Sequence, residues 1–328
     1  MTWKAPIAGG AYPCDNEVAV SASNPVLRNS FLYLSRQGWL RRWTETSPLS
    51  KRFTGRFVAG NTLDDGLRVC RELRSQSMSA SLDHLGENVA ALPEADAARD
   101  AYLTALHRIY DDRLGATVSM KLTSLGLDIS ESACERNTDS LVSKAKETGS
   151  RIEMDMESAE YTDRTLRLVH LMHERYASVR AVIQAYLYRS ENDIADLCRR
   201  GVPVRLCKGA YKEPPNVAFP DKKDVDANYV KLAKMLLDSG ADPAFATHDP
   251  AILDEVVAYV KQRNIPAARF EFQMLYGVRR DLQKRLAGEG YRVRIYVPYG
   301  DAWYPYFMRR LAERPANVLF LVRNLFRT

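Results

Sequence analysis

The chain has 328 residues, 46% of them hydrophobic and 27% charged. This composition excludes a disordered polypeptide and a small disulfide-stapled scaffold, and the length suits two ordinary domains or one large α/β domain. Lys and Arg number 47 against 41 Asp and Glu. The excess is spread along the chain instead of gathered on one face, which argues against nucleic acid as a partner.

Residues 1–50 read as an N-terminal extension, irregular at first and then helical. They lack the charged head and apolar run of a signal peptide. No window of the chain approaches the ~18 apolar residues of a membrane span. Around 25–40, Leu27, Phe31, Leu32, Leu34, Trp39 and Leu40 alternate with Arg28 and Arg36, and Arg41 and Arg42 follow. A helix docked on its own protein explains that pattern; peripheral contact with a membrane surface is the second reading. The five cysteines, Cys14, Cys70, Cys134, Cys198 and Cys207, are far apart and form no CxxC. They fit a reducing, cytoplasmic setting and suggest no metal site.

Past residue 50 a rhythm begins. Short runs rich in Val, Ile and Phe at 56–59, 117–122, 151–156, 181–187, 203–207, 244–247, 269–274 and 292–297 predict strands. Amphipathic stretches at 63–77, 94–114, 162–176, 191–200, 225–239, 250–262 and 278–287 predict helices. Eight strands alternating with helices point to a parallel sheet closed into a (β/α)8 TIM barrel over 51–328, one domain carrying the helical extension 1–50. No GxGxxG follows a strand, and GxxxxGK[ST], HExxH and GxSxG are absent.

In such a barrel, chemistry sits at the C-terminal ends of the strands. Those ends carry Lys121, Asp155 with Glu157, Gln184, Arg205 with Lys208, Thr247 with His248, Gln273 and Tyr296. The interior there is expected to be apolar, so these groups call for partners or a ligand. Each has a plainer explanation: a Lys121–Asp155 ion pair, Arg205 capping a carboxylate, His248 as a satisfied structural histidine, and the glutamines as core amides bonded to backbone. After the last strand runs Trp303-Tyr-Pro-Tyr306-Phe-Met-Arg309-Arg310-Leu-Ala-Glu313. Pro305 suits a first helical turn, and adjacent arginines over a barrel mouth can clamp a carboxylate; the alternative is a solvated basic face.

In these residues the chain resembles the proline dehydrogenase family. The resemblance spans roughly 50–328 and is carried by Arg56-Phe-Val-Ala-Gly60, Leu82-Asp-His-Leu-Gly-Glu87, Lys121-Leu-Thr-Ser-Leu-Gly126, Asp155-Met-Glu157, Gln184-Ala-Tyr186, Val204-Arg-Leu-Cys-Lys-Gly-Ala-Tyr-Lys-Glu213, Ala246-Thr-His248, Phe272-Gln-Met-Leu275, Arg294-Ile-Tyr-Val-Pro298 and Arg309-Arg-Leu-Ala-Glu313. It implies a distorted (β/α)8 barrel and oxidation of L-proline to Δ1-pyrroline-5-carboxylate by hydride transfer from C5 to N5 of FAD, with a quinone as the electron acceptor. It also implies FAD contacts from Met156, Gln184, Arg205, Lys208, Gly209, Ala210, Thr247, His248 and Gln273. Proline would meet Lys121, Tyr211, Leu275, Tyr296, Arg309, Arg310 and Glu313, with Asp155, Arg205 and Lys121 acting in catalysis.

Two departures stand out: Cys207 replaces a branched aliphatic, and Tyr299 replaces a smaller residue. An aromatic at Tyr296 favours proline over hydroxyproline, the nearest alternative substrate. More distant readings are a lyase or aldolase with Lys121 as Schiff base, and a non-catalytic carboxylate-binding protein.

Overall fold

The computed structural model describes residues 55–86, 89–304 and 306. Strands β1 (Ser79–His84), β2 (Thr117–Met120), β3 (Ile152–Met154), β4 (Val179–Gln184), β5 (Val204–Cys207), β6 (Ala244–Ala246), β7 (Glu271–Leu275) and β8 (Val293–Tyr299) pair in parallel, each with the next, and β8 closes on β1. Helix α1 (Leu63–Ser75) precedes β1. Helices α2 (Leu92–Asp111), α3 (Glu131–Glu147), α4 (Thr162–Tyr176), α5 (Ser190–Arg199), α6 (Lys222–Ser239), α7 (Pro250–Gln262) and α8 (Arg280–Gly288) fill the crossovers. This is the (β/α)8 barrel expected from the strand–helix rhythm. None of the described helices is long and apolar enough to cross a membrane.

One strand lies elsewhere than expected. The run 56–59 is a turn and an irregular segment; the first strand is Ser79–His84. Arg56–Ala59 has the β-branched and aromatic character of a strand, but it meets β8 only at that strand's far end. There Ala59 N–H donates to Pro298 O at 2.9 Å, and Gly300 N–H donates to Gly60 O at 2.9 Å. Ser79–His84 contains two serines and an aspartate, residues poor in intrinsic strand preference. It pairs with β8 from Ser79–Arg294 to His84–Tyr299, so neighbouring strands override the local preference. Helix α3 was not foreseen either; its Ser130 side chain accepts from Ala133 N–H at the N-cap.

The strand faces separate cleanly. Outward positions such as Leu82, Met120, Ile152, Met154, Leu206, Phe245, Phe272 and Ile295 are fully buried under the helices. Burying such side chains contributes roughly 1.5–3 kcal/mol each before entropy is counted. The inward positions are mainly polar. Ser81 pairs with Thr117, Ser119 with Glu153, Glu153 with Arg180, and Gln273 with Arg294. The period-two alternation of a strand puts all of them on one face.

Candidate active site

Charges run through the interior of the barrel. At its N-terminal end Arg180 donates to Glu271 at 2.5 Å and to Asp242 at 2.9 Å. Arg294 Nε also donates to Glu271, at 2.9 Å. Arg151 and Arg292 close on Asp242 from the rim, at 2.9 and 3.0 Å. In the middle, Glu153 accepts from Thr117 Oγ1 at 3.0 Å and from Gln273 Nε2 at 3.1 Å. Toward the C-terminal end Arg205 donates through Nη2 to Glu153 and, at 2.9 Å, to Ser119 Oγ. Its Nη1 donates to Asp155 Oδ1 at 2.6 Å. Tyr296 O–H donates to the other oxygen of Asp155 at 2.8 Å, and Arg205 stands 5.4 Å over the Tyr296 ring.

Several of these contacts, such as Arg205 of β5 to Glu153 of β3 and Gln273 of β7 to Glu153, cross between strands that are not neighbours, so they can pass only through the interior. The expectation of an apolar interior is therefore corrected. Most of these charges need no ligand to be satisfied, because three buried arginines and the inward carboxylates satisfy one another; Gln184 Oε1 is an exception, with no hydrogen-bond partner among the described residues.

Electrostatics separates the carboxylates. Burial alone would raise both Glu153 and Glu271, but Arg205, Arg180 and Arg294 hold Glu153 below its ordinary value, and Arg294 with Arg180 holds Glu271 well below. Asp242 is lowered likewise, with burial opposed by Arg180 and Arg151. For a depressed carboxylate, the stabilisation is complete above the unfolded value and is lost as pH falls through the folded one. The unfolding free energy is accordingly expected to drop steeply below the ordinary glutamate value of 4.5. Urea titrations at a series of pH values would show this, and Asp242→Asn should flatten the slope. A wild-type stability that stays level from about pH 5 to about pH 3 would remove the network from the stability account. Asp155 goes the other way: burial outweighs Arg205 and Lys121 and raises it. Ionised Asp155 thus costs stability near neutrality, and that cost is relieved as pH falls.

Around the mouth, local folding sets the next layer. Asp249 caps α7 by accepting from Ala251 N–H at 3.2 Å, ahead of Pro250 at the first helical turn. The same carboxylate accepts from Lys208 Nζ at 2.8 Å, and Asp226 of α6 takes Lys208 from the other side at 2.5 Å. Thr247 Oγ1 accepts from Asp249 N–H. His248 Nε2 accepts from Leu275 N–H at 2.9 Å, so its ring proton belongs on Nδ1. Gly209 has φ +120°, and a Cβ there would lie 2.3 Å from the Tyr186 ring; only glycine lets this loop rest on that tyrosine.

The structure thus brings Asp155, Arg205 and Tyr296 into direct contact, with Lys121 close enough to act on Asp155. Lys208, Thr247, His248 and Leu275 ring the ends of β5 to β7. Gln273 points its amide nitrogen down to Glu153 and Glu271. Gln184 reaches Met156 O at 3.4 Å. Ala210 and Tyr211 are exposed, the latter at 39%, outside the buried cluster. Glu157 receives both the N–H and the hydroxyl of Thr123, bracing the loop after β2. Trp303, Tyr304 and Tyr306 are buried, whereas Arg309, Arg310, Glu313 and the extension 1–50 lie outside the described residues.

Asp83, Glu153, Arg180, Glu271 and Arg294 were given no role from the sequence, although Asp83 and Arg294 stand inside motifs quoted there. Four of them stand an even number of residues before a residue that was: Glu153 before Asp155, Arg180 before Gln184, Glu271 before Gln273 and Arg294 before Tyr296. Strand parity carried that signal. Asp83 lay on the unrecognised β1.

Would a flavin fit here? Gln184 is 4% exposed and its Oε1 has no hydrogen-bond partner among the described residues. A buried acceptor left unmatched costs about 1–3 kcal/mol, and a ring N–H of a bound flavin would satisfy it. Gln184 stands at the end of β4 beside Cys207 of β5, on the face that carries Arg205. The residues present suit the group.

Comparison with known proteins gives the family. The family described as proline dehydrogenase matches residues 67–323. Proline dehydrogenase 1 of Bacillus subtilis (strain 168) is 40% identical over 308 residues, 92% of this chain and 100% of that protein. The proline dehydrogenase of Deinococcus radiodurans is 40% identical over 277 residues, 83% of this chain and 89% of that protein. The crystal structure of proline utilization A from Bdellovibrio bacteriovorus, inactivated by N-propargylglycine, superposes with a TM-score of 0.76 at 26% identity; the match takes in 88% of this chain and 36% of that one. The chain belongs to the proline dehydrogenase family.

Proposed function

We propose that this chain binds FAD at the C-terminal mouth of its barrel and oxidises L-proline there to Δ1-pyrroline-5-carboxylate, the first step of proline breakdown. One observation carries the reading. Family membership extends over nearly the whole chain, and the barrel mouth of that same chain gathers Asp155, Arg205 and Tyr296 within hydrogen-bond or ring-contact distance.

When bound, FAD supplies the acceptor for the hydrogen and electron pair leaving C5 of proline. The chain's own residues do the rest. Gln184, with its unmatched Oε1, would hold the cofactor together with Met156, Lys208, Gly209, Ala210, Thr247, His248 and Gln273. Arg205 faces the cofactor as a fixed cation, already oriented by two carboxylates, which favours added negative charge without reorganisation. Arg309 and Arg310 clamp the proline carboxylate, a role that rests on the family resemblance and on the chemistry of adjacent arginines. Tyr296 and Leu275 pack the ring and exclude water, with Tyr211 and Glu313 at the edge of the pocket.

Lys121 and Asp155 set the charge beside the amine, which must be unprotonated for oxidation. Burial raises the proton affinity of Asp155, while the hydrogen bond that its Oδ2 accepts from Tyr296 O–H opposes the rise. Electrons then pass to a quinone, with the mixed basic and apolar segment at 25–40 as the contact to a membrane surface.

The test is a visible absorption spectrum of the purified protein, without oxygen, before and after L-proline. The expected result is flavin bands that bleach on addition. Bands that ignore proline but bleach with hydroxyproline would move the substrate. A colourless protein that takes up no FAD would sink the reading and favour the lyase based on Lys121.

A further inference from the structure

We propose that Glu153 is a positioning residue for this reaction: from inside the barrel it holds the Arg205 guanidinium in one orientation and offsets part of its charge at the mouth. The proposal rests on the placement of flavin and proline given above.

Glu153 is fully buried, and its route to the mouth runs through Arg205. The two arms of that guanidinium go to two carboxylates on one strand face, Nη2 to Glu153 and Nη1 to Asp155. A planar fork held at both tips has one orientation. The anchor is itself held, by Thr117 Oγ1 at 3.0 Å, Gln273 Nε2 at 3.1 Å and Arg180 at 3.4 Å. Three strands besides β3 and β5 therefore fix where Arg205 points. Charge follows the same line. Arg205 is only 3% exposed, in surroundings where a neighbouring charge is weakly screened. With both carboxylates ionised, its positive charge is largely offset. A neutral amide at 153 leaves one of those two offsets in place, and the mouth becomes more positive. A flavin there gains negative charge on reduction, so its reduced form is favoured.

In the FAD-loaded enzyme, Glu153→Gln is expected to shift the two-electron reduction equilibrium about tenfold toward reduced flavin, a rise of about 30 mV in midpoint potential. Glu153→Asp keeps the charge but shortens the reach. It is expected to leave the potential at the wild-type value, hold KM for proline within about twofold and lower kcat by about fivefold or more. A merely structural role would lower the melting temperature of both variants and move neither readout. The glutamine variant leaves Arg180, Arg205 and Arg294 facing fewer anions; should it fail to fold, the aspartate variant carries the test through its split of kcat from KM.

An unshifted potential in a folded, flavin-loaded Glu153→Gln enzyme overturns the proposal. A wild-type kcat in Glu153→Asp does so as well. A wild-type protein that takes up no flavin overturns the underlying reading and this proposal with it, whereas a flavin indifferent to residue 153 overturns the proposal alone.

Discussion

Replacing Arg205 with methionine is expected to lower the unfolding free energy by about 3–5 kcal/mol and to abolish measurable proline turnover. Arg205 joins fully buried Glu153 on the inside to partly buried Asp155 at the mouth. Methionine fills much of the space but leaves the buried Glu153 and the partly buried Asp155, two residues apart at the end of β3, without the cation between them. Removing one partner of a buried pair is far more costly than removing the pair, because the remaining charge keeps its desolvation penalty. For a chain of this size the loss lowers the thermal midpoint by about 10 °C.

Arg205→Lys should fall between. It keeps the charge, but a point ammonium cannot span two carboxylates as the guanidinium does. Calorimetry of the three proteins without cofactor reads the structural part, and turnover with an artificial acceptor reads the functional part. A methionine variant within about 1 kcal/mol of wild type would mean that the carboxylates protonate or hydrate freely, and the buried-network account would fail. Because Arg205 and Glu153 touch, their substitutions should be strongly non-additive, and a double-mutant cycle would measure that coupling directly.

The fold was legible because its signal is repeated. Helices α4 and α7 were placed at their observed limits, 162–176 and 250–262, since each has a sustained 3.6-residue apolar stripe and, for α7, an Asp-Pro start. The strands from β2 to β8 were found within a few residues, because burial on the helix side demands Val, Ile, Leu, Met and Phe. β1 failed that test for a physical reason. Its inward face, Ser79, Ser81 and Asp83, serves the polar interior, and of the outward Ala80, Leu82 and His84 only two are apolar. Six residues with so few apolar side chains do not resemble a strand until the barrel closes around them.

The site was legible at its rim and illegible beneath it. Polar residues at strand ends attract attention because chemistry belongs there in this fold. Glu153, Arg180, Glu271 and Arg294 sit deeper, where barrels usually pack branched aliphatics, and nothing local distinguishes a buried charge from an exposed one. What pairs them is the register across the sheet and contacts between residues far apart in the chain, such as Gln273 to Glu153, 120 residues apart. Sequence spacing along one strand gives the face; it does not give the partner.

Arg309→Lys is expected to raise KM for L-proline by about 10- to 100-fold while changing kcat much less. A guanidinium can give a carboxylate two parallel charge-assisted hydrogen bonds, whereas an ammonium on a flexible stem gives one at a time. Losing one such bond costs about 1.5–3 kcal/mol, which converts to that range. The effect belongs in KM because the carboxylate is remote from the reacting C5 and is held alike before and during oxidation. Arg310→Lys should act in the same direction, and the pair of substitutions should cost more than either alone. Steady-state kinetics over a wide proline range checks this, with the melting temperature as a control that each variant folds. A proline lacking its carboxylate, pyrrolidine, provides the complementary measurement. It should be a poor substrate for the wild type and lose little further in the lysine variants, since the fork has nothing to grip. If Arg309→Lys leaves KM for proline unchanged, or if pyrrolidine suffers as much as proline, the arginine pair is a solvated helix face and the carboxylate is held by other groups.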